Sequence, residues 1–252
     1  MPVSTKEPQL TPAKPLPLFL RLAELLARGM AAGHYLAGER LPPESELSVN
    51  LGASVGTVRK ALALLESRGL LERKQGSGTY VKGRAPATAS PSAPARNIYE
   101  FFRLELASGG GLPSALMIDL KKVRRPAAVP ALGDGSSTQC YRLRRLRFLD
   151  ATPVAVEEIW FDARHREQLR IEQLDEALYH FYETELGFWI SNAEDRLRVG
   201  TVPDWAPSQF SLPPGHNCCT IERKAWCSNG TLEEFSSTWL DTRLAHYMAR
   251  WS

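Results

Sequence analysis

The chain has 252 residues, 43% of them hydrophobic and 23% charged, the balance of an ordinary globular protein with room for one large or two modest domains. It holds no run of 18 or more apolar residues, so no membrane-spanning helix is expected, and MPVSTKEPQLTPAKPL at the start lacks a charged-then-apolar signal layout, which makes the cytoplasm the expected location. The net charge of +3 is unevenly spread: residues 1–84 carry 12 Lys/Arg against 7 Asp/Glu and the rest 19 against 21, so a nucleic-acid partner is expected at the front.

Residues 1–15 are expected to form a disordered N-terminus. Leu18, Leu22, Leu25 and Leu26 recur at helical spacing and predict a first helix over 16–31. Gly33 and Gly38 mark the loop after it. Leu41-Pro42-Pro43 stops the chain, and 44–51 is predicted as a short second helix. Ser54 suits an N-cap, because its hydroxyl can accept from the exposed backbone N–H groups of a third helix over 55–68. Val58, Leu62 and Leu65 point inward there, and Gly69 ends it. LLERKQGSGTYV then predicts two short strands around Gln75-Gly76-Ser77-Gly78.

Residues 83–96, GRAPATASPSAPAR, hold almost no large apolar side chain and read as a linker. They divide a domain over 16–82 from one over 97–252. In the second domain a helix is predicted over 98–107 and strands near 115–123, 139–149 and 154–162. LDEALYHFYETELG is amphipathic, with Leu174, Leu178, Phe181 and Leu186 on one helical stripe. Strands follow near 189–201, 217–228 and 231–240, the last two flanking Asn229-Gly230, a strong hairpin signal. Clustered strands with intervening helices predict an α+β fold with an antiparallel sheet.

Cys140, Cys218, Cys219 and Cys227 form no C-x-x-C pair and are read as reduced packing residues, with no metal expected. His34, His165, His180, His216 and His246 are scattered, and no Ser-His-Asp set, H-E-x-x-H motif or phosphate loop occurs. Neither enzymatic activity nor a cofactor is expected.

Three short helices followed by a strand–turn–strand make a winged helix-turn-helix. Its third helix fits the DNA major groove, and the first turn of that helix reaches base edges. Ser54, Gly56, Thr57 and Arg59 lie on that turn. Thr57 suits a phosphate or a thymine methyl, and Arg59 suits a phosphate or guanine O6/N7. Gly56 removes a side chain where the backbone nears the sugar-phosphate wall. Lys60 lies on the next exposed position, while Lys74, Gln75 and Gly76 belong to the wing. Gly76 and Gly78 also serve the turn itself, since glycine supplies positive φ.

In the second domain, Arg145 and Arg147 are two apart and share one strand face. Glu157 is on the partner strand and Glu234 on a late one. Two guanidinium groups form a fork for phosphate or carboxylate; cross-strand ion pairs on a sheet face account for the same pattern.

Residues 41–81 resemble the GntR superfamily of bacterial regulators at Leu41, Pro42, Glu44, Glu46, Leu47, Gly52, Ser54, Thr57, Val58, Arg59, Ala61, Leu62, Gly69, Leu70, Gly76, Gly78, Thr79 and Val81. The resemblance implies a transcription regulator bound to double-stranded DNA. It departs at Ser45, on the bracing helix, and at Val55, where the family usually has DNA-contacting arginines. Residues 97–247 resemble the UTRA effector domain of the HutC/FarR subfamily, whose fold is similar to chorismate lyase. The family pattern R-x-R-x-x-x-x-x-P-x-x-x-E fits Arg145, Arg147, Pro153 and Glu157, and a later family glutamate fits Glu234. These positions, and Ser114 in a loop, are implied to line the effector pocket. Where the family often ends with R-x-D, this chain has Asp241-Thr242-Arg243. The resemblance further implies a homodimer on a palindromic operator, repression, and release by a small anionic metabolite: a sugar phosphate, an amino-acid catabolite or a phosphonate-related anion.

Overall fold

The computed structural model describes residues 10–82 and 102–249. The proposed linker over 83–96 lies outside them. The elements in chain order are β1 Thr11–Pro12, α1 Leu18–Ala31, α2 Glu44–Asn50, α3 Val55–Ser67, β2 Leu71–Lys74 and β3 Gly78–Val81. They continue with β4 Leu104–Leu106, β5 Pro113–Arg124, β6 Gln139–Leu149 and β7 Thr152–Asp162. Last come α4 Leu178–Phe181, β8 Asn192–Thr201, β9 Asn217–Trp226, β10 Leu232–Leu240 and β11 Ala245–Tyr247. The described residues divide into two units, one of residues 16–82 with 102 and 249, the other of residues 10–15 together with 103–248.

In the first unit, α1 and α2 both pack on α3. Leu22, Leu26, Leu47, Val58, Leu62, Leu65, Leu71 and Val81 make one buried cluster. Burying each of its leucines contributes roughly 1.5–3 kcal/mol. The break between α2 and α3 needs a left-handed residue, and Gly52 supplies it at φ +59°. Ser54 caps α3, its hydroxyl accepting from the Thr57 N–H at 3.2 Å. The wing pairs Leu71 with Val81 through Lys74 with Gly78. Residues 39–41 brace it: the Leu41 N–H donates to the Thr79 carbonyl and the Val81 N–H to that of Glu39, both at 2.9 Å. Gly78 adopts φ +127°, a backbone conformation that asks for glycine, and a Cβ there would lie 2.7 Å from Arg40 Nε and displace that side chain.

The second unit is built on a seven-stranded antiparallel sheet in the order β1-β5-β6-β7-β10-β9-β8. On one face Ile118, Leu146, Val156 and Cys218 pack with Val202, Phe210 and Leu212 from the loop after β8. The other face carries the charged residues discussed below. Cys227 to Thr231 close the β9–β10 hairpin, with Gly230 at φ +84°.

Three expectations are corrected. Part of the supposedly disordered N-terminus is a strand: Thr11 pairs with Met117 and Pro12 with Leu116. Lys14 then exchanges backbone hydrogen bonds with Leu174 and Glu176. A two-residue edge strand containing proline carries no periodic signal and is allowed only at a sheet edge. The helix over 98–107 fails over its described part, because Leu104–Leu106 is a strand pairing with Ala245–Tyr247. The alternation of Leu104 and Leu106 suits that ladder. The stripe over 174–187 is not one α-helix: Leu174 closes a 3-10 turn, α4 lasts one turn, and Tyr182–Leu186 widens into a π-helix that Gly187 ends at φ +78°. The four stripe residues still face inward, three of them fully. All four cysteines are free thiols, Cys140 and Cys218 buried. Among the described residues no helix is long and apolar enough to cross a membrane.

Candidate functional site

The surface that would meet DNA is formed by α2, α3 and the wing. Ser45, Ser54, Gly56, Arg59 and Lys60 are exposed and Thr57 is half-buried. The Ser54 and Thr57 hydroxyls lie 2.8 Å apart, so Thr57 is held by the helix cap. Arg59 donates from Nε to Glu44 Oε2 at 2.9 Å. Arg73 in β2 donates to the other oxygen of Glu44 at 3.3 Å and lies 3.5 Å from Glu66. Lys74 stands over the Tyr80 ring, 4.7 Å from its centre, and Tyr80 OH is 2.7 Å from the Ser77 hydroxyl. Gln75 and Gly76 are exposed at the wing tip, Gly76 at φ +71°. Val55, where the family pattern has arginine, is an exposed apolar group at the start of α3.

The second candidate site follows from sheet register. One cross-strand row runs Met117, Arg145, Glu157, Thr238, Ile221, Leu197. The next row on the same face runs Leu143, Ile159, Ser236, Arg223, Asp195, and the one after it Tyr141, Phe161, Glu234. Alternation therefore collects Arg145, Arg147, Glu157 and Glu234 on one face. The segment around α4 covers them with Tyr179, Tyr182 and Phe188, whose rings pack 4.9–5.8 Å apart.

The four residues are brought together in a network. Arg145 Nε donates to Glu157 Oε2 at 2.5 Å, and Arg147 lies 3.8 Å from the same oxygen. Arg145 also donates to the Glu176 carbonyl at 3.4 Å, and the Thr238 hydroxyl to Glu157 at 3.2 Å. Glu234 accepts from Tyr182 OH at 2.8 Å, Tyr179 OH at 3.2 Å and the Ser236 hydroxyl at 3.4 Å. Arg223 forks onto Asp195, both bonds 2.6 Å, and Tyr247 OH joins that carboxylate at 2.7 Å. Arg145, Arg147 and Glu234 are all buried. Ser114 stands apart: it is the second residue of β5, not a loop residue. It pairs with Phe148 and is one place out of step with Ala115, the partner of Arg147, so alternation puts it on the opposite face.

Burial pushes the Glu157 carboxyl up, but the Arg145 and Arg147 charges outweigh it and hold it below the usual carboxylate range. Burial and the charge of Glu157 raise Glu234 instead, against the opposing pull of Tyr182, Arg223 and Arg145. A raised carboxyl disfavours the ionised folded state. Its stability contribution is present below the ordinary value of 4.5 and lost as pH rises through the higher folded value. Glu234→Gln, which mimics the neutral acid, is expected to raise the melting midpoint near neutral pH. The gain should vanish as pH falls to about 4, and a gain that is independent of pH would count against this assignment.

Sequence reasoning missed Tyr179, Tyr182, Thr238, Ser236, Arg223 and Asp195. Period two from Glu234 through Ser236 to Thr238 was a usable signal. The Arg223–Asp195 pair had none, because it depends on the pairing of β8 with β9. Asp241 and Arg243 pair with each other at 2.8 Å, outside this network. Arg243 and Ser211 hold the Asp241 carboxyl down at about 2.

The two sites correspond to known patterns. That of the UTRA domain matches residues 109–243, and that of the bacterial regulatory proteins of the gntR family matches residues 18–81. The chain is similar to the HTH-type transcriptional regulator SmoD of Agrobacterium fabrum, at 44% identity over 93% of this chain and 96% of that one. The chain belongs to the GntR family of bacterial transcription regulators. This GntR protein therefore binds DNA through its winged helix-turn-helix and carries a UTRA effector domain. It is also similar to the HTH-type transcriptional repressor NagR of Bacillus subtilis, at 26% identity over 94% of this chain and 97% of that one. In fold it resembles the possible transcriptional regulator YydK of Bacillus subtilis, with TM-score 0.52 and 18% identity over 94% of this chain and all of that one. Its second unit resembles the ligand-binding domain of a GntR-family regulator from Bordetella bronchiseptica, with TM-score 0.56 and 19% identity over 61% of this chain and 99% of that one.

Proposed function

We propose that this regulator is a cytoplasmic repressor of the HutC/FarR type, a homodimer that sits on a palindromic operator until a small anionic metabolite binds its UTRA domain. Two-fold symmetry in the protein asks for two-fold symmetry in the DNA. The name of NagR as a repressor supports the direction of control. At the head, Ser45, Ser54, Gly56, Thr57, Arg59, Lys60, Lys74, Gln75 and Gly76 supply the DNA contacts, with Arg59 as the fork that reads a base.

The observation that carries the effector reading is the network of buried Arg145, Arg147 and Glu234 with half-buried Glu157, in a unit distinct from the DNA-reading one. Buried charge costs stability unless paired, and a core without it packs at least as well. Its retention suits a ligand carrying both an anionic group for the arginines and hydroxyl or amine donors for the glutamates. Such an anion must take Arg145 from Glu157, because the two are already bonded. That exchange shifts β6 against β7 and re-biases the spacing of two heads joined through residues 83–96. Heads that no longer match two half-sites lose avidity.

The test is a gel-shift titration of the dimer on its operator with sugar phosphates, amino-acid catabolites and phosphonates, each beside a neutral analogue. The expected result is release by at least one anion, which is recovered unchanged, and none by its neutral analogue. Equal release by the neutral analogue would overturn the anion reading, and chemical conversion of the ligand would point to an enzyme instead.

A further inference from the structure

Glu44 of α2 bonds both an arginine of the recognition helix and an arginine of the wing. It sits at the first position of α2, and one of its oxygens receives Arg59 twice, from Nε and from a terminal nitrogen, each at 2.9 Å. The other oxygen receives Arg73 of the wing at 3.3 Å. Arg73 is gripped a second time, by Glu66 of α3, at 3.5 Å through Nε and at 3.3 Å through its backbone N–H. One carboxylate thus ties the bracing helix, the recognition helix and the wing at a single point. The side chain of Arg59 is nonetheless 61% exposed, so its remaining donors still face solvent.

We infer that Glu44 is a positioning residue for operator specificity, which acts by holding the Arg59 guanidinium in one orientation and by keeping Arg59 and Arg73 from serving as free phosphate ligands. The inference rests on the reading that Arg59 contacts DNA. Arginine presents five donors in a rigid fork, and a carboxylate that occupies one edge fixes where the other edge points. A fixed edge suits O6 and N7 of one guanine, whereas a swinging arginine takes any phosphate in reach. Glu44 also sets a negative charge on a surface that phosphates must approach, which penalises loosely docked, sequence-independent complexes more than a docked one in register. The neighbouring positions make this necessary. Ser45 and Val55 leave the head with fewer cations than the family pattern, so discrimination depends more heavily on how the remaining ones are aimed.

The test uses the full chain and two duplexes: the operator selected by the wild-type protein from random DNA, and a scrambled duplex of the same composition. Glu44→Gln is expected to bind the scrambled duplex several-fold more tightly and to lower the operator-to-scrambled affinity ratio about tenfold. The slope of log affinity against log salt on scrambled DNA should steepen by about one, the signature of one newly freed phosphate contact. A purely structural role at the start of α2 would lower the melting midpoint and leave that slope unchanged. Glu44→Asp keeps the charge and the helix start but shortens the reach, so it should lower the ratio in the same direction even if the glutamine variant folds poorly. In an Arg59→Gln background, Glu44→Gln should have no further effect on the ratio. An unchanged ratio and slope, or an equal drop in both backgrounds, would overturn the inference. If Arg59→Gln alone left operator affinity intact, the DNA-contact reading of α3 would fail instead.

Discussion

Arg59→Ala is expected to reduce operator binding to the level of an arbitrary duplex while leaving the fold unchanged. Arg59 is exposed on α3 and contributes nothing to the cluster of Leu22, Leu26, Leu47, Val58, Leu62 and Leu65 that holds the head together. Its Glu44 partner is itself partly exposed, and an ion pair at such a surface adds about 0–1 kcal/mol to stability. A bidentate arginine–guanine contact, by contrast, discriminates by about 1–3 kcal/mol, roughly 10- to 100-fold in affinity per half-site. Two half-sites compound the loss. Fluorescence anisotropy titration of a labelled operator checks it, with circular dichroism to confirm that the helices remain. Near-wild-type affinity would show that α3 is not the reading element.

Arg145→Ala should destabilise the effector domain by about 3–5 kcal/mol, because it leaves the largely buried Glu157 beside Glu234 with Arg147, 3.8 Å away, and the weaker pull of Arg223 to balance it. For a unit of this size that is roughly 6–20 °C in melting midpoint. Replacing both partners, Arg145→Met with Glu157→Gln, should recover most of the loss. The amide still accepts from Thr238, and one charge of each sign is removed together, so the balance of the cluster is kept although Arg147 loses the same carboxylate. The double variant should bind the operator as tightly as the wild-type chain and fail to leave it with any anion that releases the wild-type chain. Calorimetry of the single and double variants checks the first part and gel-shift titration the second. A double variant that responds like the wild-type chain would exclude these two residues from the effector site.

The head was legible in the sequence almost residue by residue. Its signals are local: leucines at helical spacing, a proline stop, Ser54 as cap, Gly52 and Gly78 where the backbone needs positive φ. The strands of the sheet were also legible, because alternation and the Asn229-Gly230 turn survive in any context. What was not legible depends on partners far along the chain. Leu104–Leu106 is a strand because Ala245–Tyr247 lies beside it, and Thr11–Pro12 because β5 has a free edge there. Within the effector network, Arg145, Arg147 and Glu157 sit on one hairpin, so their shared face follows from period two alone. Arg223 and Asp195 joined it only through the order β7-β10-β9-β8, which no local pattern specifies. Ser114, expected in a loop, is instead a β5 residue paired with Phe148, one step from Ala115 and so on the face away from Arg147.

The most direct test of the central claim, that the amino-terminal head reads DNA as a two-fold pair while the UTRA domain decides when, is a DNase I footprint of the full chain on the promoter of its own gene. The account predicts two protected half-sites related by two-fold symmetry and one or a whole number of helical turns apart, about 10–10.5 base pairs per turn. Both should disappear together with Arg59→Ala and on addition of a releasing anion. A single unsymmetrical footprint, or protection that survives both treatments, would contradict it.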